Sequence, residues 1–468
     1  MPAPLSTAIS APPGPSRPWL TLLVVACATV AAVLSTTLFN VAIPALGQHF
    51  GLGQDKIQWA ITGFMAAMTL SMLPTAWLLD RFGFRRCLLG ALALLAASSI
   101  AGALSMSFPF LVAVRIVQGI AAGVLQPLGA VIVMRLFPVE QQGRASGILG
   151  FGIVLAPAVA PALSGVLLDR FGWQSIFLIN LPFCVLAGIG GYLLIPRGTA
   201  RTDKRFDWLG GTLLCLMTLA AIEGISSVHQ RGLAAPWTLL YLGLAAGALL
   251  FFVRHARRAD HPIIQLALFS DRPFAMGTVV SLTYGFGLYA STYLIPVFMQ
   301  HALGYSATRA GLALLPAGLA LAAVIPLAGR LADRHSPHYI TMGGLTLFGA
   351  SFALFAVIGG QISYGEVAWV TVLGRVGLAM ILPALSLAAM RGMAPHQMGQ
   401  SSVVISYVRQ LGGVLGVAVS AVFVEWRESV YGAAGRSISE AYVDSFILLA
   451  VIFIVALLAA SRMTRRTR

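Results

Sequence analysis

The stretch Ala76-Trp-Leu-Leu-Asp-Arg-Phe-Gly-Phe-Arg-Arg86 is a short basic loop between two long apolar runs of the sequence. A degenerate copy of it, Gly329-Arg-Leu-Ala-Asp-Arg334, lies in the second half of the chain. Aligning Asp80 with Asp333 also places Arg81 on Arg334. Two copies of one loop in the two halves of a hydrophobic chain predict a duplicated membrane unit.

The composition supports a membrane protein. Of the 468 residues, 58% are hydrophobic and only 10% are charged, and the mean hydropathy is +0.87. A soluble protein of this size could not bury so much apolar surface, so lipid is expected to surround most of the chain. The net charge of +15 does not indicate nucleic-acid binding, because the Lys and Arg residues form short clusters between apolar runs and no continuous basic face.

Cysteine and histidine patterns argue against a membrane enzyme, the main alternative from another functional class. The four cysteines lie in or beside apolar runs, and the eight histidines are scattered through loops with no metal-ligand spacing. No Gly-x-x-x-x-Gly-Lys-Ser/Thr stretch is present, which excludes ATP-driven transport within this chain. We therefore expect no enzymatic activity, no metal and no cofactor.

Apolar runs of about 17–25 residues predict fourteen membrane-spanning helices. Most Lys and Arg residues then fall on one side of the membrane, which predicts that both termini are cytoplasmic. The predicted spans are 19–42, 57–78, 87–106, 109–135, 145–167, 174–195, 207–227, 236–254, 274–300, 306–330, 339–359, 366–390, 400–424 and 442–462.

The duplicated loop also predicts the domain organisation, because it aligns span 2 with span 10. Spans 1–6 would form an N-terminal six-helix bundle (19–196), and spans 9–14 a C-terminal one (259–468). Spans 7 and 8 would be an additional pair in a linker at 197–258. The first eighteen residues carry six prolines and one arginine, which predicts a disordered cytoplasmic tail (1–18).

Several motifs in order along the chain resemble those of the fourteen-span drug:proton antiporter family within the major facilitator superfamily. The duplicated loop is similar to the signature loop of that superfamily, although Ala76 and Phe84 replace a glycine and an arginine of its pattern. The other similar stretches are Leu34–Pro44 in span 1, Arg115–Gly123 in span 4, Ala156–Gly165 in span 5, Trp173–Pro182 before span 6 and Asp207–Gly210 at the start of span 7. The resemblance implies an all-helical major facilitator fold and transport by alternating access.

A cytoplasmic gate is the first predicted site. The positive-inside rule accounts for the arginines of the loop but not for an acidic residue in both copies. We expect Asp80 to contact the N-terminal end of span 13, near Ser401 and Ser402, and to hold the gate shut. The residues assigned to the two copies of this gate are Asp80, Arg81, Arg85, Arg86, Asp333 and Arg334.

Arg115 is predicted to be functional because a charge within the membrane is costly unless it is paired or hydrated. It should lie at the same depth as Ser35 on the neighbouring span 1. The family carries an aspartate at the position of Ser35, so the resemblance implies an ion pair and a proton site that this chain lacks. Three alternatives follow. Another acid carries the proton, with Glu223 as the first candidate and Glu366 and Glu425 after it. Otherwise Arg115 binds the substrate, or transport is not coupled to protons.

Two further groups complete the predicted site. Pro157, Pro161 and Gly165 resemble the antiporter motif of span 5, where they would form a seam between the halves, with ordinary helix packing as the alternative. The predicted lining of an apolar substrate cavity is Ser35, Asn40, Gln118, Gln126, Tyr284, Tyr293, Tyr407 and Arg409. For each of these, an interhelical hydrogen bond is an equally good explanation.

The sequence thus predicts a multi-pass transporter of the bacterial inner membrane that exports amphipathic drugs or toxic metabolites in exchange for protons. The alternative is a dedicated exporter or facilitator of one endogenous metabolite, with altered or no proton coupling. The expected partners are lipid, protons and a small-molecule substrate, but no nucleic acid. Some relatives in Gram-negative bacteria work with a periplasmic adaptor and an outer-membrane channel, and such partners remain open here.

Overall fold

The computed structural model describes residues 17–52, 54–196, 206–390, 393–394 and 397–463, with side chains except at 40–41, 43–44, 54–55, 58, 154–166, 169, 226, 229–230 and 307–308. This part of the chain is entirely helical apart from its connections. Its α-helices are α1 (Pro18–Phe50), α2 (Gln54–Met72), α3 (Thr75–Phe82), α4 (Phe84–Ala103), α5 (Phe108–Leu136), α6 (Val139–Phe171), α7 (Ser175–Leu178), α8 (Asn180–Leu194), α9 (Trp208–Arg231), α10 (Pro236–Ala256), α11 (Arg272–Val297), α12 (Ala307–Arg334), α13 (Pro337–Ile358), α14 (Tyr364–Met390), α15 (Met398–Ala433) and α16 (Ile438–Ser461).

Local sequence explains where several helices begin and end. Proline occupies the first turn of α1, α5, α10, α11 and α13. Proline lacks a backbone N–H, and in the first turn of a helix an N–H would have no hydrogen-bond partner within the helix. The carboxylate of Asp207 accepts a hydrogen bond from the backbone N–H of Gly210 and so caps α9. Gly83 has a φ of 80°, which permits the sharp turn between α3 and α4 in the first copy of the duplicated loop.

The described residues contain eleven helical segments that are long and apolar enough to cross a membrane. A twelfth results if α2 and α3, which meet at a bend of 53°, form one broken span. Two other helices, α6 with 33 residues and α11 with 26, exceed the length of about 20 residues that a span requires. The total of fourteen spans and the cytoplasmic location of both termini stay predictions.

Some predicted boundaries differ from the helices. Span 1 was expected to end at residue 42, whereas α1 continues to Phe50, and α15 runs nine residues past the predicted limit of span 13 at 424. A helix does not stop where the apolar run stops, because its backbone hydrogen bonds can continue in water. Predicted span 2 is interrupted at Pro74, which precedes the first residue of α3.

Helix packing follows the order of the duplicated unit. In the first half α5 packs against α2 and α4, and α6 against α1; in the second half α14 packs against α12 and α13, and α15 against α11. The additional helices α9 and α10 pack against each other, and α9 also contacts α2 and α15. The halves meet where α6 contacts α12 and α14 and where α15 contacts α2, α3 and α5. The domain bounds stay a prediction, and most of the expected N-terminal tail lies outside the described residues.

Candidate functional site: a buried arginine and an interface between the halves

Arg115 on α5 lies in the core of the first half, with 1% of its surface exposed. Its guanidinium carbon lies 4.2 Å from the ring centre of Phe39 and 4.0 Å from that of Phe64, so both rings are in cation–π contact with it. Nη1 donates to the carbonyl oxygen of Ser35 at 2.9 Å, and Nε to that of Ala60 at 3.4 Å. The structure therefore brings Arg115 and Ser35 together, through the backbone of Ser35.

Gln118, one turn along α5, completes the environment of Arg115. Its Oε1 accepts a hydrogen bond of 2.9 Å from Nη1 of Arg115, and its Nε2 donates to Oγ of Ser99 on α4 at 3.0 Å. The hydroxyl of Ser35 donates to the carbonyl of Ala31 within its own helix. Gln118 and Ser35 were predicted to line a cavity, but both are at least 97% buried and hold helices together in this conformation.

Close contact between α5 and α2 makes this arrangement possible. A Cβ atom at Gly119 would lie 2.3 Å from the carbonyl oxygen of Phe64, and one at Gly123 would lie 2.1 Å from that of Met68. Only glycine permits this separation of the two backbones. The two glycines thus hold α2, with Phe64, against the face of α5 that carries Arg115.

Asp333, in the second copy of the duplicated loop, contacts the first half of the chain. Its Oδ1 accepts a hydrogen bond of 2.6 Å from the backbone N–H of Gly143, and its Oδ2 accepts one of 2.7 Å from that of Arg144. Both donors lie in the second turn of α6, near the end of the helix at which its dipole favours a negative charge. Asp333 therefore joins α12 of the second half to α6 of the first.

Glycines line the same contact. A Cβ atom at Gly329 would lie 2.3 Å from the carbonyl oxygen of Gly143, and one at Gly147 would lie 3.1 Å from that of Ile325. An apolar cluster next to this contact joins α5 to α12, α13 and α14; its buried members are Met134, Ala332, Ile340, Ala384, Leu387 and Met390. The two halves are therefore in close contact at the end of the molecule that carries the duplicated loops.

The first copy of the loop lies at the same end. Asp80, Arg81 and Arg86 are exposed, and Arg85 lies over the ring of Tyr192 at 4.5 Å. Helix α3, which carries Asp80, packs against α15. Ser402 of α15 donates to the carbonyl of Pro127 at 3.0 Å, a further hydrogen bond between the halves. The specific contact of Asp80 with the start of α15 stays a prediction, and Arg334 is exposed at the end of α12.

A small cavity lies between α5, α6, α14 and α15, and Gln126 and Arg409 are among its lining residues. Its volume of about 50 Å³ admits water but no drug-sized molecule, which needs at least about 300 Å³. This cavity is thus too small to hold such a substrate.

The predicted cavity residues of the second half have different surroundings. Tyr284 is buried, and Tyr293 is half-buried on the same helix. Tyr407 does not line the small cavity described above, and its hydroxyl forms a hydrogen bond of 2.6 Å with Thr218 of α9. The hydroxyl of Tyr407 thus joins α15 to the additional pair, and a role of Tyr407 in the substrate cavity stays a prediction.

The remaining predicted residues are less informative. Glu223 is exposed on α9, and Glu366 caps α14 by accepting a hydrogen bond from the backbone N–H of Ser363 at 2.7 Å. The helix α6 continues through Pro157, Pro161 and Gly165, but the surroundings of these residues lie outside what the structure describes, as does the side chain of Asn40.

Sequence reasoning missed two polar clusters at helix ends. Asp207 bonds to Nε2 of His255 at 2.8 Å and to the backbone N–H of Ile263, and Gln400 of α15 donates to the carbonyl of Ile263. These bonds join the additional pair to α15. Arg427 forms an ion pair with Asp444 between α15 and α16. The capping pattern at Asp207 was a detectable signal, but no local pattern pointed to its partners.

Comparison with known proteins identifies the family to which this fold belongs. The family model described as Major Facilitator Superfamily matches residues 25–417. The chain belongs to the Major Facilitator Superfamily. It is 32% identical to a multidrug resistance protein B homolog of Mycobacterium tuberculosis (strain CDC 1551 / Oshkosh) over 406 residues, which cover 86% of this chain and 75% of the relative. It is 28% identical to the multidrug export protein EmrB of Escherichia coli K12 over 421 residues, which cover 87% and 80% of the two chains.

Solved structures of this superfamily share the fold. A double Trp mutant of XylE matches with a TM-score of 0.71 at 15% identity and covers 97% of this chain and 98% of its own. The human organic anion transporter MFSD10 matches with a TM-score of 0.67 at 17% identity and covers 96% and 100%. The predicted major facilitator fold is therefore confirmed, and the protein is a multi-span membrane transporter whose bacterial relatives agree with an inner-membrane location.

Proposed function

We propose that this transporter exports small amphipathic compounds across the inner membrane by alternating access, in exchange for protons and without catalytic chemistry. The observation that carries the proposal is the contact of Asp333 with the start of α6, which joins the two halves at one end of the molecule. In alternating access the halves rock about a central site and close one end at a time. The relatives named as multidrug resistance and export proteins support the substrate class.

A second candidate function rests on Ser35. Its side chain cannot titrate, and the described part of the chain places no carboxylate in contact with Arg115. This favours a dedicated exporter or facilitator of one metabolite whose transport is not coupled to protons at this position. Under the first function, another acid carries the proton, and Glu223 is the first to test.

Efflux of a fluorescent amphipathic dye from proteoliposomes, with and without an imposed pH gradient, distinguishes the two functions. Protein-free liposomes measure leak. We expect the gradient to accelerate efflux by the wild-type protein, and Glu223→Gln to abolish that acceleration if Glu223 carries the proton. A rate of efflux that does not change with the pH gradient would favour the facilitator. No dye transport would favour a dedicated metabolite exporter. Co-purification from membranes under mild detergent tests whether an adaptor protein is bound.

A further inference from the structure

The guanidinium of Arg115 has unused hydrogen-bonding capacity. It carries five N–H donors, of which Nε uses one and Nη1 uses two. Nη2 is fully buried and has no hydrogen-bond partner. Two donors of a cation in the core of a membrane protein are therefore unsatisfied, in a place where water cannot replace the missing partner freely.

The contacts of Arg115 with the described residues are also neutral. They are the carbonyl oxygens of Ser35 and Ala60, the amide of Gln118 and the rings of Phe39 and Phe64. Aromatic rings and dipoles stabilise a cation partly, but they carry no net charge. A buried cation without a counter-charge is costly, so this environment calls for a negative group at the free edge.

The shape of the site restricts where that group can bind. The ring centres of Phe39 and Phe64 lie 4.2 Å and 4.0 Å from the guanidinium carbon, and Nε and Nη1 already donate to protein oxygens. Ser35 of α1 and Ala60 of α2, whose carbonyl oxygens accept hydrogen bonds from the guanidinium, have small side chains. The hydroxyl of Ser35 donates to the carbonyl oxygen of Ala31. Nη2 is thus the part of the guanidinium to which none of the described side chains supplies a charge.

We propose that Nη2 of Arg115 binds a monovalent anionic group, either a small inorganic anion such as chloride or nitrate, or one carboxylate oxygen of a transported molecule. The anion supplies the counter-charge that no described side chain provides, and it links α1, α2 and α5 through Arg115. Binding requires neither a pH gradient nor transport, so the site goes beyond the proposed function.

Thermal unfolding of the purified full-length protein in detergent tests the site. Sodium gluconate is replaced by sodium chloride or nitrate at constant ionic strength, so that only the small anion changes. We expect the unfolding midpoint to rise by about 1–2 °C at a tenfold excess of anion over its Kd, because a ligand that binds only the folded state stabilises it. The proposal would be overturned if neither anion changed the unfolding midpoint and neither a carboxylate dye nor its neutral ester did so.

Two variants assign the effect to Arg115. Ser35→Asp places a tethered carboxylate beside the guanidinium and should remove the response to anions, whereas Ser35→Asn, of the same size but neutral, should keep it. Arg115→Gln should also lose the response to anions, and this variant replaces Ser35→Asp in the test if Ser35→Asp does not fold. An equal response of wild type and Arg115→Gln would contradict the site.

A matched pair of dyes separates the two sources of the anion. One dye carries a carboxylate, and the other is its neutral methyl ester. If the anion belongs to the transported molecule, the acid raises the midpoint in gluconate and the ester does not. If it is inorganic, chloride alone suffices and the two dyes act alike. Because unfolding needs no transport, a negative result here leaves the efflux assay of the proposed function unaffected.

Discussion

The carboxylate of Asp333 on α12 accepts a hydrogen bond of 2.6 Å from the backbone N–H of Gly143 at the start of α6. The two residues are 190 positions apart and belong to different halves of the transporter. The acceptor is a carboxylate and the donors lie near the positive end of a helix, and hydrogen bonds to a charged acceptor are stronger than those between neutral groups. Its formation and loss offer a simple physical basis for closing and opening this end.

Asp333→Asn should weaken the closed state. The amide keeps the size of the side chain but loses its charge, and hydrogen bonds to charged groups contribute about 1.5–3 kcal/mol. The closed population should therefore fall about tenfold or more relative to the open one. Electron–electron distance measurements between spin labels at the exposed positions Glu140 and His335 should report a longer distance. Arg330→Gln, an exposed change on the same helix, is the control, and an unchanged distance distribution in Asp333→Asn would contradict this role.

Gly329→Ala should prevent the halves from closing fully. The new methyl group would lie 2.3 Å from the carbonyl oxygen of Gly143, which is backbone and cannot move aside alone. We expect dye efflux to fall about tenfold or more while the protein still folds, since a carrier must close each end in every cycle. Gly311→Ala on the same helix, where a methyl group meets nothing within 4 Å, is the matched control. Equal efflux by both variants would argue against this contact as a gate.

Ser99→Ala should destabilise the first half. It leaves Nε2 of Gln118 without its partner in a buried site, at a cost of about 1–3 kcal/mol. Ser98→Ala is the control, because Ser98 is also buried on α4 but bonds only to carbonyls of its own helix. Thermal unfolding in detergent should show a lower midpoint for Ser99→Ala than for Ser98→Ala, and the reverse order would show that the bond contributes little.

Tyr407→Phe and Thr218→Val should each weaken the attachment of α9 to α15. The two hydroxyls bond to each other at 2.6 Å, and such bonds within membranes contribute about 0.6 kcal/mol on average. The double variant should therefore lose less stability than the sum of the single variants. Thr212→Val, whose hydroxyl bonds to its own helix on the exposed side, is the control. Strict additivity would contradict a direct interaction.

Sequence alone predicted the fold because its signals are local. Long apolar runs determine which segments enter lipid, and the repeat of Asp80-Arg81 as Asp333-Arg334 revealed the duplication. The depth of Arg115 followed from counting residues along a helix of known rise. These inferences need no knowledge of how helices rotate against one another.

The tertiary structure decided the contacts that connect distant helices. Each helix residue turns its side chain by about 100° relative to the one before, so a small change of helix rotation sends a side chain to a different neighbour. For this reason the sequence could not tell that Tyr407 bonds to α9, or that Nη2 of Arg115 has no partner. The bond of Asp333 to α6 likewise depends on two helices from different halves meeting at their ends, and no stretch of sequence contains both.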